Sequence, residues 1–399
     1  MRYMLTCAAP AVIFVLLAGP AAACRNTNSF ERWLDEFKRE AAAQKISQST
    51  IESALDGVSF DPEIVRRDHG QGVFQQSFLQ FSARMASSDR IVEGKRRIQK
   101  YAELFGRIEQ QYGVPAPVLV SFWGLESDFG SNNGKFSVLR SIATLAYDCR
   151  RPEFFRPQLM DALKVIDRGD LSASDMIGDW AGELGGMQIT PSDYYKYAVD
   201  FDGDGRRDAV HSVPDTLASA ANFLVGLGWK RGQPWLQEVH VPTTLPWDQA
   251  DLAIQLPRSK WADFGVTLAD GRPLPTDNLP ASLLLLMGRN GPAFLAYPNF
   301  QAYLGWNQAL VYATTAAYLA TRIEGASAVH RGNGPVAILS AAQILDLQHL
   351  LANHGYSVGN FDGKLGLTTR AGIKQAQMKL GLPADSYPTS DLIARLRTN

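Results

Sequence analysis

Apolar residues recur every three or four positions along most of this chain, the period of helices that bury one face. Phe30, Trp33, Leu34 and Phe37 follow an Asn28-x-x-Glu31 capping box, so residues 28–57 are predicted helical. A polar, Gly-containing stretch is expected to about Gly72, then a helix over 73–84 and one long helix over 90–112 that stops at Gly113. Pro115 and Pro117 open the next helix, where a missing N–H costs little. Its Val118, Phe122, Leu125 and Phe129 share a face. Further helices are predicted over 153–167, 214–227 and 306–323.

The helical texture breaks twice. Between 232 and 298 Pro and Gly become frequent and Glu238-Val-His-Val241 reads as a short strand, which predicts a small β-containing insertion. Residues 325–337, rich in Gly and Ala, read as a linker. Beyond it Ser340 caps a helix bearing Ile344, Leu347 and Leu351. A turn at Gly359–Gly363, a helix with Ile373, Ala376 and Leu380, and a last short helix over 391–396 follow. The predicted fold is mainly α: a helical body with a small β insertion, plus a three-helix module at 338–399.

The N-terminus changes the compartment. Arg2, an apolar run at 11–18, Pro20 and Ala21-Ala22-Ala23 form a secretory signal peptide over 1–23, cleaved after Ala23. That run falls short of the roughly 20 residues that span a bilayer. No later stretch reaches that length, and Leu283–Met287 is a core-sized segment. A periplasmic or exported protein without a transmembrane helix is expected. Lys and Arg total 39 against 40 Asp and Glu, so no overall field draws the chain to nucleic acid. Cys7 leaves with the signal, and Cys24 and Cys149 remain to form a disulfide in an oxidising compartment. Cys24 also follows the cleavage site directly, so an outer-membrane lipoprotein is the competing reading. A lipoprotein signal normally has Leu or a similar residue at Ala21, which favours the disulfide.

Glu126 is the most informative residue. It sits near the end of an otherwise apolar helix, with Phe122, Trp123 and Phe129 within four positions. Aromatic crowding would desolvate its carboxyl and raise its pKa. A carboxylic acid protonated near neutral pH is what glycosidic cleavage needs, because the leaving oxygen must receive a proton. Asp128, the nearest acid in sequence, points to another side of the helix and is a poor partner. Taken alone, a Glu at a helix end is more often a solvated surface charge.

The segment Tyr112–Gly130 resembles the active-site motif of lytic murein transglycosylases of the membrane-bound type-B family, where a Gly-Val-Pro helix leads to Glu, then Ser or Thr, then Gly. Gly185-Gly-Met-Gln-Ile-Thr-Pro-Ser192 resembles the block that lines the family's sugar cleft, Ala198–Gly205 its acidic loop, and Ser219–Phe223 the helix after it. Trp306-Asn307 falls where the family has Tyr-Asn. Several motifs in one order are far more specific than any one. The C-terminal unit resembles the three-helix peptidoglycan-binding domain through Leu347-Gln348, Gly355-Tyr356, Asp362-Gly363, Gly366, Thr369 and Gln377.

The resemblance implies a lysozyme-like catalytic domain over 24–324 that cleaves the MurNAc–GlcNAc β-1,4 bond of peptidoglycan strands with no required cofactor. Glu126 would serve as the only acid/base, and the sugar's own C6 hydroxyl would close a 1,6-anhydro ring. Ser127, Gln188, Phe223, Trp306 and Asn307 are the implied substrate-binding residues. Trp306 and Phe223 stand where the family often has tyrosines, which removes phenolic hydrogen bonds while keeping ring faces. The alternatives are a muramidase that hydrolyses the same bond and an inert wall-binding scaffold.

Asp200, Asp202 and Asp204, then Gly205, match the first half of an EF-hand loop, and Asp208 falls at its ninth position. The twelfth position is His211 instead of the bidentate Glu. A structural calcium ion and a metal-free Asp/Gly turn both remain open readings of this loop.

Overall fold

Every helix that positions the site is held by a cap, a bend or a turn that the apolar period alone does not announce. A computed structural model describes residues 29–70 and 76–398. Ser29 caps the first helix, Phe30–Ala43, by accepting the Arg32 N–H. Asn28, the expected cap, lies outside the described residues, as do the signal segment and Cys24. Gln48–Leu55 completes the region predicted helical. The stretch expected to be irregular holds a helix, Pro62–His69, capped by Asp61 and opened by Pro62. At eight residues it is too short to show a period.

The single helix expected over 90–112 is two, Ser88–Lys100 and Ala102–Tyr112, bent at Tyr101. The bend lets both segments lie along Ala116–Ser127, the helix that carries Glu126. The helix expected over 306–323 starts at Leu310 and runs to Glu324; a separate helix, Phe300–Trp306, precedes it, and the break lies where Asn307 accepts the Ala309 N–H.

The β insertion is an antiparallel sheet in the order Leu256–Pro257, Pro280–Leu284, Ala293–Ala296, Leu236–His240, Thr267–Leu268. Side-chain alternation splits it between two cores. Leu284, Phe294 and Ala296 join the main helical core, while Leu283 and Leu295 pack with Trp261 in a second one.

At the C-terminus Ala341–Asn353, Leu367–Lys379 and Ser390–Thr398 close around Leu347, Leu351, Ile373 and Leu392. The segment read as a linker has no helix or strand, yet it is tied down. Tyr318 Oη accepts the Val329 N–H, Asn333 Nδ2 donates to the Val241 carbonyl, and Gly334 N–H bonds to Asn290. The module itself docks on the sheet. Arg370 donates to the carbonyls of Leu285 and Leu286, and Lys374 reaches the Ala250 carbonyl and Asp251. No helix among the described residues is long and apolar enough to cross a membrane.

Candidate active site

Glu126 is held by the burial of its helix. Gly113, in the left-handed region at φ 71°, ends the preceding helix, and Pro115 and Pro117 start the new one. Val118 through Leu125 are all buried, so the helix is apolar all round and not along one face as its sequence spacing suggests. It threads the core between Ser88–Lys100 and Leu310–Glu324. Asp128, Phe129 and Gly130 are all left-handed and terminate it directly after the catalytic turn. Phe129 therefore lies past the helix end, with its ring edge-on to Trp123 at 5.9 Å. Asp128 is exposed and paired with Arg90, away from Glu126.

Two donors converge on one oxygen of Glu126. Trp306 Nε1 donates to Oε1 at 2.9 Å, and Tyr312 Oη donates to the same atom. No donor among the described residues reaches Oε2. Burial pushes the carboxyl up to about 7, against the two donors, which favour its charged form; the nearby Asp179 adds to the rise. The carboxyl thus has one anchored oxygen and one free oxygen, and it keeps a proton close to neutral pH.

Rings build the wall beside it. Trp306 stacks on Phe122 at 4.3 Å, Phe122 on Tyr303 at 5.0 Å, and Phe223 lies 5.0 Å from Trp306. Trp306 is half-buried and Phe223 buried, so Trp306 presents its indole N–H to the acid while Phe223 backs it. Asn307 is half-buried at the break before Leu310–Glu324, where its side chain fixes the start of the helix bearing Tyr312.

The Gly185–Ser192 block packs at the end of the catalytic helix, against Ser127 and Trp123. Gln188 holds a positive φ of 46° and donates to the Gly185 carbonyl at 2.8 Å. Ser127 is buried. Its hydroxyl donates to the Gly186 carbonyl at 2.6 Å and accepts the Gly130 N–H. It bolts this block to the end of the catalytic helix and is not open to a sugar. Gly186 lies against the Trp123 indole, where an added Cβ would meet Nε1 at 3.0 Å.

Sequence reasoning missed Tyr312, Asp179 and Glu183. Tyr312 carries no motif of its own, although its place six residues after Trp306, in the first turn of the next helix, was a usable signal. Asp179 and Glu183 lie in a turn that no periodicity marks.

Asp200, Asp202 and Asp204 place one carboxylate oxygen each within 4.8 Å of one another, all at the surface. Those carboxylates also cap the loop: Asp200 accepts the N–H of Gly203 and Gly205, and Asp204 that of Arg206. Asp208 stands outside the group and turns to the backbone and ring of His211. Buried Asp215, also missed in sequence, accepts the N–H groups of Phe201, Asp202 and Asp208 and holds the loop from within. Three oxygens fit part of a calcium shell, which takes six to eight. Cys149 is disulfide-bonded, and Cys24, its expected partner, lies outside the described residues.

This arrangement can be set beside known proteins. A family model described as Transglycosylase SLT domain matches residues 29–321. The chain belongs to that family. A peptidoglycan binding domain model matches residues 340–396. The chain is 41% identical to SltB3 of Pseudomonas aeruginosa, solved in complex with NAG-anhNAM-pentapeptide, over 92% of this chain and 99% of that one, with a TM-score of 0.85. It is 28% identical over 238 residues to membrane-bound lytic murein transglycosylase B of Escherichia coli, covering 59% of this chain and 64% of that relative's length. Escherichia coli lytic transglycosylase Slt35, solved in complex with calcium, is 25% identical over 75% of this chain and 93% of that one, with a TM-score of 0.62. The family member described here is thus a lysozyme-like helical transglycosylase-type body with a wall-binding type of module.

Proposed function

We propose that this protein is a lytic transglycosylase that cleaves the MurNAc–GlcNAc β-1,4 bond of peptidoglycan and leaves 1,6-anhydro-MurNAc ends. The observation that carries this reading is the half-anchored, desolvated carboxyl of Glu126. Its Oε2 proton passes to the glycosidic oxygen as the C1–O bond breaks, and the muramyl N-acetyl group steadies the positive charge at C1. Glu126, now a carboxylate, takes the proton of the C6 hydroxyl while O6 bonds to C1. The acid is restored and no water is consumed. The half-buried Trp306, backed by buried Phe122 and Phe223, supports a ring face for the sugar strand, with Gln188 and Asn307 as further polar contacts.

The finer assignments follow from the same reading. We propose that Asp200, Asp202 and Asp204 bind calcium, because a relative of the same fold was solved with that ion. The mature chain is taken as exported, with Cys24 bonded to Cys149, a catalytic domain over 24–324 and a wall-binding module over 338–399. A cavity of about 640 Å³ between the module's Val358–Thr369 loop and the Gln308–Val311 helix start is the proposed wall contact of the module. Mass analysis of muropeptides released from sacculi tests the central proposal. Anhydro ends are expected, whereas ends heavier by one water would make the enzyme a muramidase, and no release would leave a binding scaffold.

A further inference from the structure

Glu183 is a carboxyl that the reaction as derived above does not use. It sits in a short lobe, residues 178–189, closed by bridges between Gly178 and Leu184 and between Leu184 and Ile189. Asp179 ties the turn shut: its Oδ1 accepts the N–H of Ala181 and of Glu183, each at 2.9 Å, and its own N–H bonds to the Glu183 carbonyl at 3.0 Å. Three residues on, the Gly186 carbonyl takes the Ser127 hydroxyl, so the lobe is fastened to the residue after Glu126. Glu183 is therefore presented beside the catalytic acid by covalent and hydrogen-bonded neighbours. The Glu126 charge acts on Glu183, and Glu183 acts on Tyr312, the donor to the catalytic acid. Its own carboxyl has no hydrogen bond or ion pair among the described residues, and it is only half-buried, so one side remains open.

The groups around it are almost all acidic. The lobe contributes Asp179, the catalytic helix Glu126, and the helix Pro191–Tyr197 contributes Asp193. Tyr312 comes from Leu310–Glu324. The cations at this edge serve others: Lys196 acts on Asp193, and Arg90 is bonded to Asp128 and acts on Tyr312. Several carboxyls in a poorly hydrated pocket without a cation of their own cannot all ionise near neutral pH. Burial first, then Asp179, Glu126 and Asp193, push Glu183 up to about 8, above Glu126. Glu126 ionises first, and Glu183 holds its proton longer.

We propose that Glu183 is a second acid of the cleft, a neutral carboxyl that donates a hydrogen bond to an oxygen of the bound sugar strand. A protonated carboxyl is a strong donor, and kept dry it works in a way a carboxylate cannot. The role differs from that of Glu126 because no bond is made or broken at Glu183 and its proton stays in place. The inference rests on the transglycosylase reading, since it assigns a contact within that substrate.

The pH profile of kcat/KM for anhydro-muropeptide release by the full chain tests it. With two protons required, the alkaline limb of the wild type steepens to a hundredfold loss per pH unit above about 8, instead of tenfold. Glu183→Gln keeps a weaker donor that does not titrate. It is expected to lower kcat/KM a few-fold at pH 6 and to reduce the limb to tenfold per unit. Glu183→Ala, which removes the donor, is expected to lose more than tenfold at pH 6 with no fall in melting temperature. A Glu183→Gln limb as steep as the wild type's, or a Glu183→Ala enzyme with wild-type kcat/KM, overturns the proposal. An inactive wild type would instead count against the transglycosylase reading, so the two failures are distinct.

Discussion

Trp306 donates its indole N–H to Oε1 of Glu126 across 2.9 Å, joining two residues 180 positions apart in the chain. Tyr312 shares that oxygen. Their shared choice of oxygen fixes the orientation of the acid and leaves Oε2 as the atom from which a proton can depart. The rings behind Trp306 keep its plane in place, so the contact depends on packing as much as on polarity.

Replacing Glu126 by Gln is expected to cut anhydro-muropeptide release by about a thousandfold, within the range for removing a general acid. The same change should raise stability at alkaline pH. Burial moves this carboxyl from 4.5 in the unfolded chain to about 7 in the fold. Between those values the unfolded chain sheds the proton and the fold retains it, so stability falls as pH rises and levels off above about 7. Gln escapes that loss. Melting curves of the two proteins should coincide near pH 4 and separate by pH 8, by less than ~3 kcal/mol because the cleft admits some water. Curves that coincide at both pH values would mean the acid is not desolvated.

Tyr312→Phe and Trp306→Phe remove one donor each from the carboxylate form of Glu126. Loss of a donor to the charged form leaves the acid harder to ionise. The alkaline limb of the rate profile is therefore expected to move to higher pH in both variants, with a lower plateau. Trp306→Phe retains a ring against Phe122, which separates the donor's effect from that of the stack. A limb that stays in place would show that these donors do not tune the acid.

Glu126 lies near the end of an apolar helix, but that alone reads as a surface charge; its role became legible through the ordered motifs that resemble the family's. The helix ends nearby were legible through Gly113 and the prolines. The acid's partners were not. Tyr312 is brought to Glu126 by the crossing of two helices far apart in the chain, and no local pattern encodes a crossing. Ser127 shows the reverse error. The resemblance implied a substrate contact for it, but its hydroxyl is buried and donates to the Gly186 carbonyl. The bends at Tyr101 and Asn307 escaped notice because apolar periodicity runs through both.

Millimolar calcium is expected to raise the melting temperature if the Asp200–Asp204 loop takes the ion, since a ligand bound only by the fold stabilises it. Asp202→Asn should abolish the rise. Asp202 accepts the Asp204 N–H on one oxygen and the Ser212 hydroxyl on the other, and Asn keeps the first bond through Oδ1 while its Nδ2 can donate to the Ser212 hydroxyl. The variant without calcium should therefore melt close to the wild type. The absence of any calcium-dependent rise would leave the loop as a turn closed by its own carboxylates and by Asp215.

The C-terminal module is expected to stabilise the body it sits on, and Arg370 tests this. Its guanidinium is buried between the module and the sheet, where it reaches the carbonyls of Leu285 and Leu286. Burial lowers its pKa to about 10, so it remains charged at neutral pH. Asp385 stands close by, paired with Arg289 of the sheet and with Gln377 of the module. Lys374 adds a second cation, bonded to Asp251 at 3.0 Å. Arg370→Met keeps much of the stem's length and apolar contact but leaves the Leu286 carbonyl without its donor, while the Leu285 carbonyl keeps the Gly288 N–H. An unmet buried group costs about 1–3 kcal/mol. Because those carbonyls belong to the body and the donor to the module, the loss falls on the interface and not on either core. The wild type is expected to unfold as one calorimetric transition, and Arg370→Met as two, with the three-helix module melting first. By the same logic, deletion beyond residue 337 should lower the melting temperature of the body as well as its affinity for sacculi. An Arg370→Met protein that still melts in one transition at the wild-type temperature would show that the module is a tethered anchor.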